Sequence, residues 1–492
     1  MRSVRPAPWP AAAAYPHRWF VKVMAAASIV STAAAALTES WWLLVAPAGL
    51  FIGWLAVIDY RRLYYLLLAT LPLSIEVELP GGLGTDLPSE PLMWVLMGTA
   101  LFWLARHWHT IDRGFLLHPV TMALLLHLAW MTLSCLFTTL PIVSLKFWLA
   151  KGWYVGVFFF LAAHIFQREA DVRNFIGWFL APLLLTVCIV LVRHAAVGFS
   201  FAEVNYVMGP FYRNHVVYAC IQAVFFPFVW LGIQSYRRLS WPWWILVVGA
   251  GLLLVGINFA YARAAYVALL IAIGIYFLVR WRLFLIALLA AAVVLSALVV
   301  LVTHRDNWLL FAPNYERTIT HKRFDNLLEA TTRLEDISIM ERVYRWVAAA
   351  YMIAERPFLG FGPGTFYFNY KGYTVNRFRT YVSHNPERSG IHNYYLMVAV
   401  EQGLPGLAFF LLFFVAVFVW GQRAYHRLRD RGQQRIVMAA LLSFSIIGLL
   451  LLMNDFVETD KIGSLFFICA ALVVNASLRE REENCREAHP NV

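Results

Sequence analysis

Charge and cysteine are both scarce in this chain of 492 residues. Charged side chains make up 14% of it and hydrophobic ones 61%, whereas a soluble domain has about a quarter charged residues and roughly half apolar ones. Such a chain cannot hide its apolar surface by folding on itself, so the scarcity of charge excludes a soluble globular protein and a disordered one. The five cysteines show neither metal-binding spacing nor a disulfide pattern, which excludes a cysteine metal site and a disulfide scaffold.

Long apolar runs are abundant instead. A helix that crosses about 30 Å of hydrocarbon needs roughly 17 to 25 apolar residues. Fourteen runs approach that length, at 20–38, 41–58, 63–78, 91–106, 115–136, 146–166, 174–192, 215–234, 241–258, 261–280, 282–303, 394–420, 435–453 and 461–478. Twelve crossings result if the first pair is re-entrant or one run is interfacial. We therefore predict an all-α, polytopic integral membrane protein with about 12–14 transmembrane helices.

The excess of basic residues follows the predicted loops. Forty Lys and Arg against 28 Asp and Glu give a net charge of +12, which in a soluble protein would suggest nucleic-acid binding. Here the basic residues lie in alternate loops, as at Arg61 and Arg62, and acidic ones such as Glu76 and Asp86 lie in the others. Because basic loops of membrane proteins stay in the cytoplasm, we predict that both termini are cytoplasmic and that no nucleic acid is bound.

This topology divides the chain into five parts. They are a cytoplasmic lead-in at 1–19, a transmembrane bundle of about eleven spans at 20–303, a periplasmic loop at 304–391, the last three spans at 392–478 and a cytoplasmic tail at 479–492. The lead-in shows no clear cleavage site, which favours a retained first span over a removable signal peptide.

The predicted periplasmic loop of nearly ninety residues is long enough to be functional. An amphipathic helix is predicted within it, because apolar residues recur at helical spacing at Ile337, Met340, Val343, Val347, Tyr351 and Ala354. Glu341 and Arg345 form an i,i+4 pair, and Pro357 stops the helix. We expect this helix to lie along the outer membrane surface over the bundle, with its apolar face down.

Several basic side chains on the predicted outer face could hold an anion. Arg213 follows a Gly-Pro turn, and Arg263 begins an apolar run. A guanidinium matches phosphate oxygens bidentately, but an arginine at a helix end can also snorkel to a lipid headgroup. Arg342 and Arg345 either join such a site or form the solvated face of the amphipathic helix. Lys151, deeper in the sixth span, needs either a structural partner or a substrate contact.

His392 is the strongest candidate for proton transfer. It stands where the large loop returns to the membrane, and histidine is the side chain best suited to accept a proton near neutral pH. A packing role is the alternative. His304, His321 and His384 are interpreted as ordinary loop residues. The last outer loop, which contains Asn454, Asp455, Glu458 and Asp460, either pairs with the outer arginines or is a solvated hairpin.

Glycines on either side of His392 indicate tight backbone packing. Gly360, Gly362 and Gly364 form a turn that lets the chain approach the bundle, and Gly403 and Gly406 follow in the next span. No strand precedes this turn, so it does not fit a nucleotide-binding loop.

Four motifs together resemble the O-antigen ligase / O-antigen polymerase family of bacterial envelope enzymes. They are Ala262-Arg263-Ala264, the Arg-x-x-x-Trp segment from Arg342 to Trp346, the glycine turn from Pro357 to Phe366, and the His-Asn-x-Tyr-Leu segment that extends from His392 to Gly406. Their order and spacing are similar to the family's over roughly residues 200–480, within a GT-C-like membrane fold.

The resemblance implies glycosyl transfer from an undecaprenyl-diphosphate-linked glycan at the periplasmic face, without a nucleotide, a metal or another cofactor. Arg213 and Arg263 would then bind the diphosphate, with Arg342 assisting from the loop helix and with Arg345 and Lys151 as further binding residues. His392 would activate the acceptor hydroxyl in an inverting displacement.

The acceptor is left open by the residues. A ligase, which we favour, transfers the glycan to lipid A–core, whereas a polymerase joins lipid-linked repeat units of an O-antigen or exopolysaccharide. From another class, a lipid-linked oligosaccharide flippase would place charges along a central cavity and would lack the long outer loop. A purely structural membrane scaffold would leave the arginine and histidine group unexplained.

Overall fold

The computed structural model describes residues 18–38, 40, 45–79, 83–107, 109, 112–303, 337–375, 383, 385 and 390–488. Its longer helices are α1 (Arg18–Thr38), α2 (Val45–Ile58), α3 (Tyr60–Thr70), α4 (Ser89–Arg106), α5 (Pro119–Leu136), α6 (Pro141–Ile165), α7 (Glu169–Ala196), α8 (His215–Ser235), α9 (Trp241–Phe259), α10 (Arg263–Arg280), α11 (Phe284–Thr303), α12 (Ile337–Glu355), α13 (Tyr394–Arg427), α14 (Arg431–Leu450) and α15 (Asp460–Ala488).

Shorter elements connect these helices. They are the helices Arg113–Leu116, Val204–Met208 and Phe366–Asn369, the 3-10 turns Leu71–Leu73, Tyr370–Tyr373 and Phe456–Glu458, and an antiparallel hairpin of β1 (Ile75–Leu79) and β2 (Leu83–Leu87). We call the end of the bundle at which α4, α6, α8, α10, α13 and α15 begin the site face.

The predicted all-α, polytopic membrane protein is confirmed. Nine helices in the described ranges are long and apolar enough to cross a bilayer: α5 to α10 and α13 to α15. Helices α1 to α4 and α11 occupy the other five predicted spans, and the total of 12–14 crossings stays a prediction. The first part of the predicted periplasmic loop, with His304 and His321, lies outside the described residues, as does His384.

The prediction of one span over 63–78 was wrong. Helix α3 ends at Thr70, the 3-10 turn Leu71–Leu73 follows, and β1 begins at Ile75. Pro72 has no N–H to continue the helical ladder, and the alternation of apolar and acidic residues after it has the period of a strand. Eleven helical residues cover only about 16 Å, too little for a crossing.

The core lies around the last two helices. Each membrane-length helix contains an apolar stretch of 18 residues. The buried share of this stretch is 89% in α15 and 78% in α14, whereas it is 28% in α10. Phe444 of α14 stacks on Phe466 of α15 at 4.6 Å between ring centroids, and offset aromatic pairs of this kind add to the burial of apolar area. Helices α14 and α15 therefore form the centre that supports the candidate site, while most of the α10 surface is left uncovered by the described residues.

Helix α13 is broken close to the site face. Gly403 has φ 72° and ψ 179°, and Pro405 follows within the helix. Backbone groups freed at such a break need partners inside a membrane, and α5 supplies them. Ser134 donates to the carbonyl of Glu401 at 3.0 Å, and Trp130 Nε1 donates to the carbonyl of Gln402 at 2.8 Å.

Candidate functional site

The glycine turn docks on the break in α13. Gly360, Gly362 and Gly364 have φ angles of 66°, 103° and 74°, in the left-handed region that glycine adopts without a steric penalty. The N–H of Phe361 donates to the carbonyl of Val400 at 3.0 Å, and that of Gly362 donates to the carbonyl of Glu401 at 2.9 Å. The turn and the broken helix are thus joined through their backbones.

Glycine is required at these positions by the close packing of neighbouring atoms as well as by the backbone conformation. A Cβ at Gly360 would lie 2.5 Å from the backbone carbon of Glu401, and one at Gly362 would lie 2.1 Å from Thr138 Oγ1. On the α13 side, a Cβ at Gly403 would lie 2.0 Å from the carbonyl oxygen of Phe358, and one at Gly406 would lie 2.4 Å from Gln402 Cβ.

Glu401 completes this contact from within α13. Its carboxylate accepts the backbone N–H of Gly364 at 2.8 Å and that of Phe366 at 3.2 Å, and its side chain is buried. Carboxylate hydrogen bonds to backbone N–H groups are among the stronger ones in proteins. All five glycines predicted as structural therefore lie at one junction, which fixes the beginning of α13.

His392 stands directly before α13 in a left-handed backbone conformation, with φ 57°. Such a conformation costs a non-glycine residue roughly 1–3 kcal/mol and persists where the surroundings determine it. The carboxylate of Asp455 lies beside the backbone N–H groups of His392 and Asn393, which stabilise its charged form, and the N–H of Tyr394 donates to the carbonyl of Leu451 at 2.9 Å. The loop between α14 and α15 thus holds His392 in place.

Arg345 reaches the same point from α12. Its Nη1 donates to the carbonyl of Gly390 at 2.8 Å, and its Nη2 lies 3.6 Å from Glu341 Oε2. Both side chains of this pair are buried, with 5% and 7% exposed. The alternative of a solvated helix face is therefore wrong for Arg345.

The predicted apolar face of α12 is also wrong in part. Tyr351 is 47% exposed, whereas Tyr344, Ala348 and Met352 are buried, and the helix packs against α13. Because Glu341 and Arg345 compensate each other's charge, this pair can pack inside the protein, and the packed face of α12 is rotated from the predicted apolar face towards it.

Three predicted arginines converge on His392. Burial, followed by the positive charges of Arg345, Arg342 and Arg213, lowers the pKa of His392 to about 3. These residues come from the turn before α8, from α12 and from the loop before α13, so the fold brings three separate segments together. Arg263 begins α10 on the same face, and its role stays a prediction.

Lys151 has a protein partner. Its Nζ donates to Glu458 Oε1 at 2.6 Å and to the hydroxyl of Tyr394 at 3.1 Å, and the side chain is buried. Of the two alternatives for Lys151, the structure contains the structural partner. A contact with the diphosphate stays a prediction. Lys151 therefore joins Glu458, in the loop before α15, to Tyr394, which follows His392 by two residues.

Asp455 has a role that its sequence context does not specify. It is a carboxylate in the short loop after α14, where burial raises its pKa to about 7. The polar run at 454–460 was the available signal, because such a run between two apolar spans marks groups that need partners near the membrane. The identity of the partner, the backbone of His392, depends on the tertiary fold.

Comparison with known proteins agrees with the motifs. Residues 248–411 match a family model described as O-antigen ligase; a comparison with curated proteins gives no match. The matched segment contains Arg263, Arg342, Arg345, the glycine turn and His392, whereas Arg213 and Asp455 lie outside it. The predicted resemblance is therefore confirmed: over about a third of its length, this multi-pass membrane protein is similar to the O-antigen ligases.

Proposed function

We propose that this protein is a glycosyltransferase of the O-antigen ligase type, which transfers a glycan from undecaprenyl diphosphate to a hydroxyl of lipid A–core. The site would face the periplasm from the bacterial inner membrane, with both termini in the cytoplasm. The observation that carries this proposal is the cluster of Arg213, Arg342 and Arg345 around His392, within or beside a segment similar to O-antigen ligases.

The arginines suit the departing diphosphate. Negative charge develops on its oxygens as the glycosidic bond breaks, and fixed guanidinium groups in a water-poor site stabilise that charge. Arg263 would extend this set from the start of α10. The lipid diphosphate already stores the energy for transfer, so the proposed reaction requires neither a nucleotide nor a metal.

His392 would accept the proton of the acceptor hydroxyl. The acceptor oxygen attacks the anomeric carbon from the side opposite the diphosphate, the new C–O bond forms as the bond to the diphosphate breaks, and the configuration inverts. The proton moves to the His392 ring, and undecaprenyl diphosphate departs. Asp455, through the backbone of His392, and Lys151, through Glu458, act as positioning residues.

Binding of the diphosphate is expected to make His392 a better base. Its pKa of about 3 in the free protein reflects burial and three positive charges, so the ring is neutral throughout the range near pH 7. An anion between the arginines offsets their charge and favours the protonated ring, which raises this pKa towards the ordinary 6.5. NMR of ¹³C-labelled histidine, assigned with His392→Asn, should show a signal that is insensitive to pH between about 5 and 8 and whose titration midpoint moves to higher pH when inorganic pyrophosphate is added. Titration between about 5 and 8 without the anion, or a midpoint that does not move at saturation, would contradict the expected coupling.

The reaction itself can be tested in proteoliposomes. The purified protein is given undecaprenyl-diphosphate-linked glycan together with either lipid A–core or a second lipid-linked unit. Glycan attached to lipid A–core is the expected product. A ladder of lengthened lipid-linked glycan without lipid A would show a polymerase, and glycan moved between leaflets without a new bond would show a flippase.

A further inference from the structure

A second polar cluster lies on the site face, where α3 ends and where α4 and α15 begin. Its centre is Asp460, whose Oδ2 accepts the hydroxyl of Ser89 at 2.8 Å and that of Ser74. Lys461 Nζ lies 3.7 Å from the other oxygen of Asp460 and donates to the carbonyl of Ser74 at 2.9 Å. These contacts compensate the charge of Asp460 and tie the hairpin β1–β2 to α15.

Tyr154 of α6 directs an unsatisfied hydroxyl into this cluster. The side chain is only 5% exposed, and no hydrogen bond joins its hydroxyl to any residue in the described part of the chain. Four carboxylates act on the phenol electrostatically: those of Asp460, Asp86, Glu90 and Glu458. The hydroxyl of Tyr154 is not one of the fully enclosed polar atoms of the described residues, so it faces open space although the side chain is buried. A tyrosine hydroxyl in such a place ordinarily has a partner, and the absence of one among the described residues indicates a place for a ligand.

Asp86 of β2 is the second group of this cluster that can form further hydrogen bonds. Its carboxylate accepts no hydrogen bond from the described residues, in contrast to that of Glu90, which accepts the hydroxyl of Thr85 at 2.6 Å. Burial and the neighbouring Asp460 raise the pKa of Asp86 to about 7. Near neutral pH this group can therefore both accept and donate hydrogen bonds.

The chemistry of the cluster selects a hydroxyl-rich ligand without negative charge. Carboxylates and a phenol pair with sugar hydroxyls in both directions, whereas the lysines here are already paired with Asp460 and Glu458 and leave no excess of positive charge to bind a phosphate or carboxylate group. Within the described ranges, no three of the acidic, histidine or cysteine side chains are arranged to hold a metal ion. A sugar ring fits these groups better than an anion or a metal.

The cluster is joined to the arginine site by one short loop. Asp455, at one end of that loop, holds the backbone of His392, and Glu458 pairs with Lys151 beside Tyr394. Glu458 and Asp460, at the other end, face Tyr154. A basic site and an acidic cluster thus lie side by side on the same face.

We infer that the acidic cluster around Tyr154 and Asp86 binds an uncharged, hydroxyl-bearing sugar of the glycosyl acceptor, beside the arginine site that takes the donor diphosphate. This inference rests on the proposed function. The arginines would attract the diphosphate, whereas the cluster offers hydrogen bonds and little net charge, because Lys461 and Lys151 pair with Asp460 and Glu458.

Tyr154→Phe and Asp86→Asn test the inference in the proteoliposome assay, with the acceptor that the wild-type protein uses. Each variant should raise the KM for the acceptor about tenfold, the effect of losing one strong hydrogen bond, while the KM for the donor stays within about twofold. Tyr154→Phe should leave the unfolding temperature unchanged, because the hydroxyl that it removes has no partner within the described protein. Tyr206→Phe, at a tyrosine that is 82% exposed, and Glu203→Gln, at an exposed carboxylate outside the cluster, are the matched controls and should leave both constants unchanged.

The outcomes separate the inference from the function on which it rests. An unchanged acceptor KM in both variants, in a protein that transfers glycan, would overturn the acceptor subsite and leave the glycosyltransferase intact. An equal rise in donor and acceptor KM would also overturn it, because it would show a general disturbance of the site. Absence of transfer by the wild-type protein with every acceptor would overturn the proposed function itself.

Discussion

Replacing His392 by alanine is expected to lower the kcat of glycan transfer by about 10²- to 10⁴-fold, the usual contribution of a general base. The side chain lies within the field of three arginines, and its neutral ring can accept a proton. The backbone at this position is held by Asp455 and not by the imidazole, so the fold should survive the substitution. Initial rates in proteoliposomes, measured with saturating donor and acceptor, give the comparison.

His426→Ala provides the control at the opposite end of α13. His426 Nε2 contacts the carbonyl of Val279 at 2.9 Å, far along the helix from the glycine turn, and its loss should change kcat by less than about threefold. If His392→Ala kept more than about a tenth of the wild-type rate, His392 would not be the base. If the wild-type protein moved glycan across the membrane without forming a new glycosidic bond, and His392→Ala abolished that movement, the transporter would be the correct class.

Gly403→Ala is expected to destabilise the protein by about 3 kcal/mol or more. The added Cβ would lie 2.0 Å from the carbonyl oxygen of Phe358 and 2.4 Å from its carbon, and the φ of 72° disfavours any side chain. The opposing atoms belong to the backbone, so no rotamer change can relieve the clash. A lower unfolding temperature in detergent, followed by tryptophan fluorescence, together with a lower yield of folded protein, would show the effect.

Gly372→Ala is the matched control, since a Cβ there would meet nothing within 4 Å. It should change the unfolding temperature by no more than about 1–2 °C. Equal unfolding temperatures for Gly403→Ala and Gly372→Ala would show that the glycine turn does not hold the break in α13.

Helices and the glycine junction were largely predictable, because both leave local signals. Apolar runs of membrane length identified a helix at every predicted span, and the spacing of glycines marked a close backbone approach. The exception at 63–78 arose because a hydropathy window averages over Pro72 and the alternating acids that follow it. The length and local pattern of an apolar run therefore predict where a helix lies, but a single proline can determine where that helix ends.

The grouping of side chains was predictable only in part. The motifs placed Arg342 and His392 on one face, and the family resemblance suggested that they act together. Tyr154 was missed because it is one aromatic residue in an apolar span, and its four carboxylates come from other segments far along the chain. Burial of Glu341 with Arg345 was missed because periodicity reads each charge separately and does not show that two charges can enter a core as a pair.

The loop between α14 and α15 determines when the candidate site can form during synthesis of the chain. Leu451 and Asp455 bind the backbone at Tyr394 and His392, but the ribosome makes them only after the whole of α13 and α14. A nascent chain with those helices already in the bilayer still lacks the groups that hold the histidine. The centre is therefore assembled only when the final hairpin has inserted, and a partly synthesised chain does not contain a complete site.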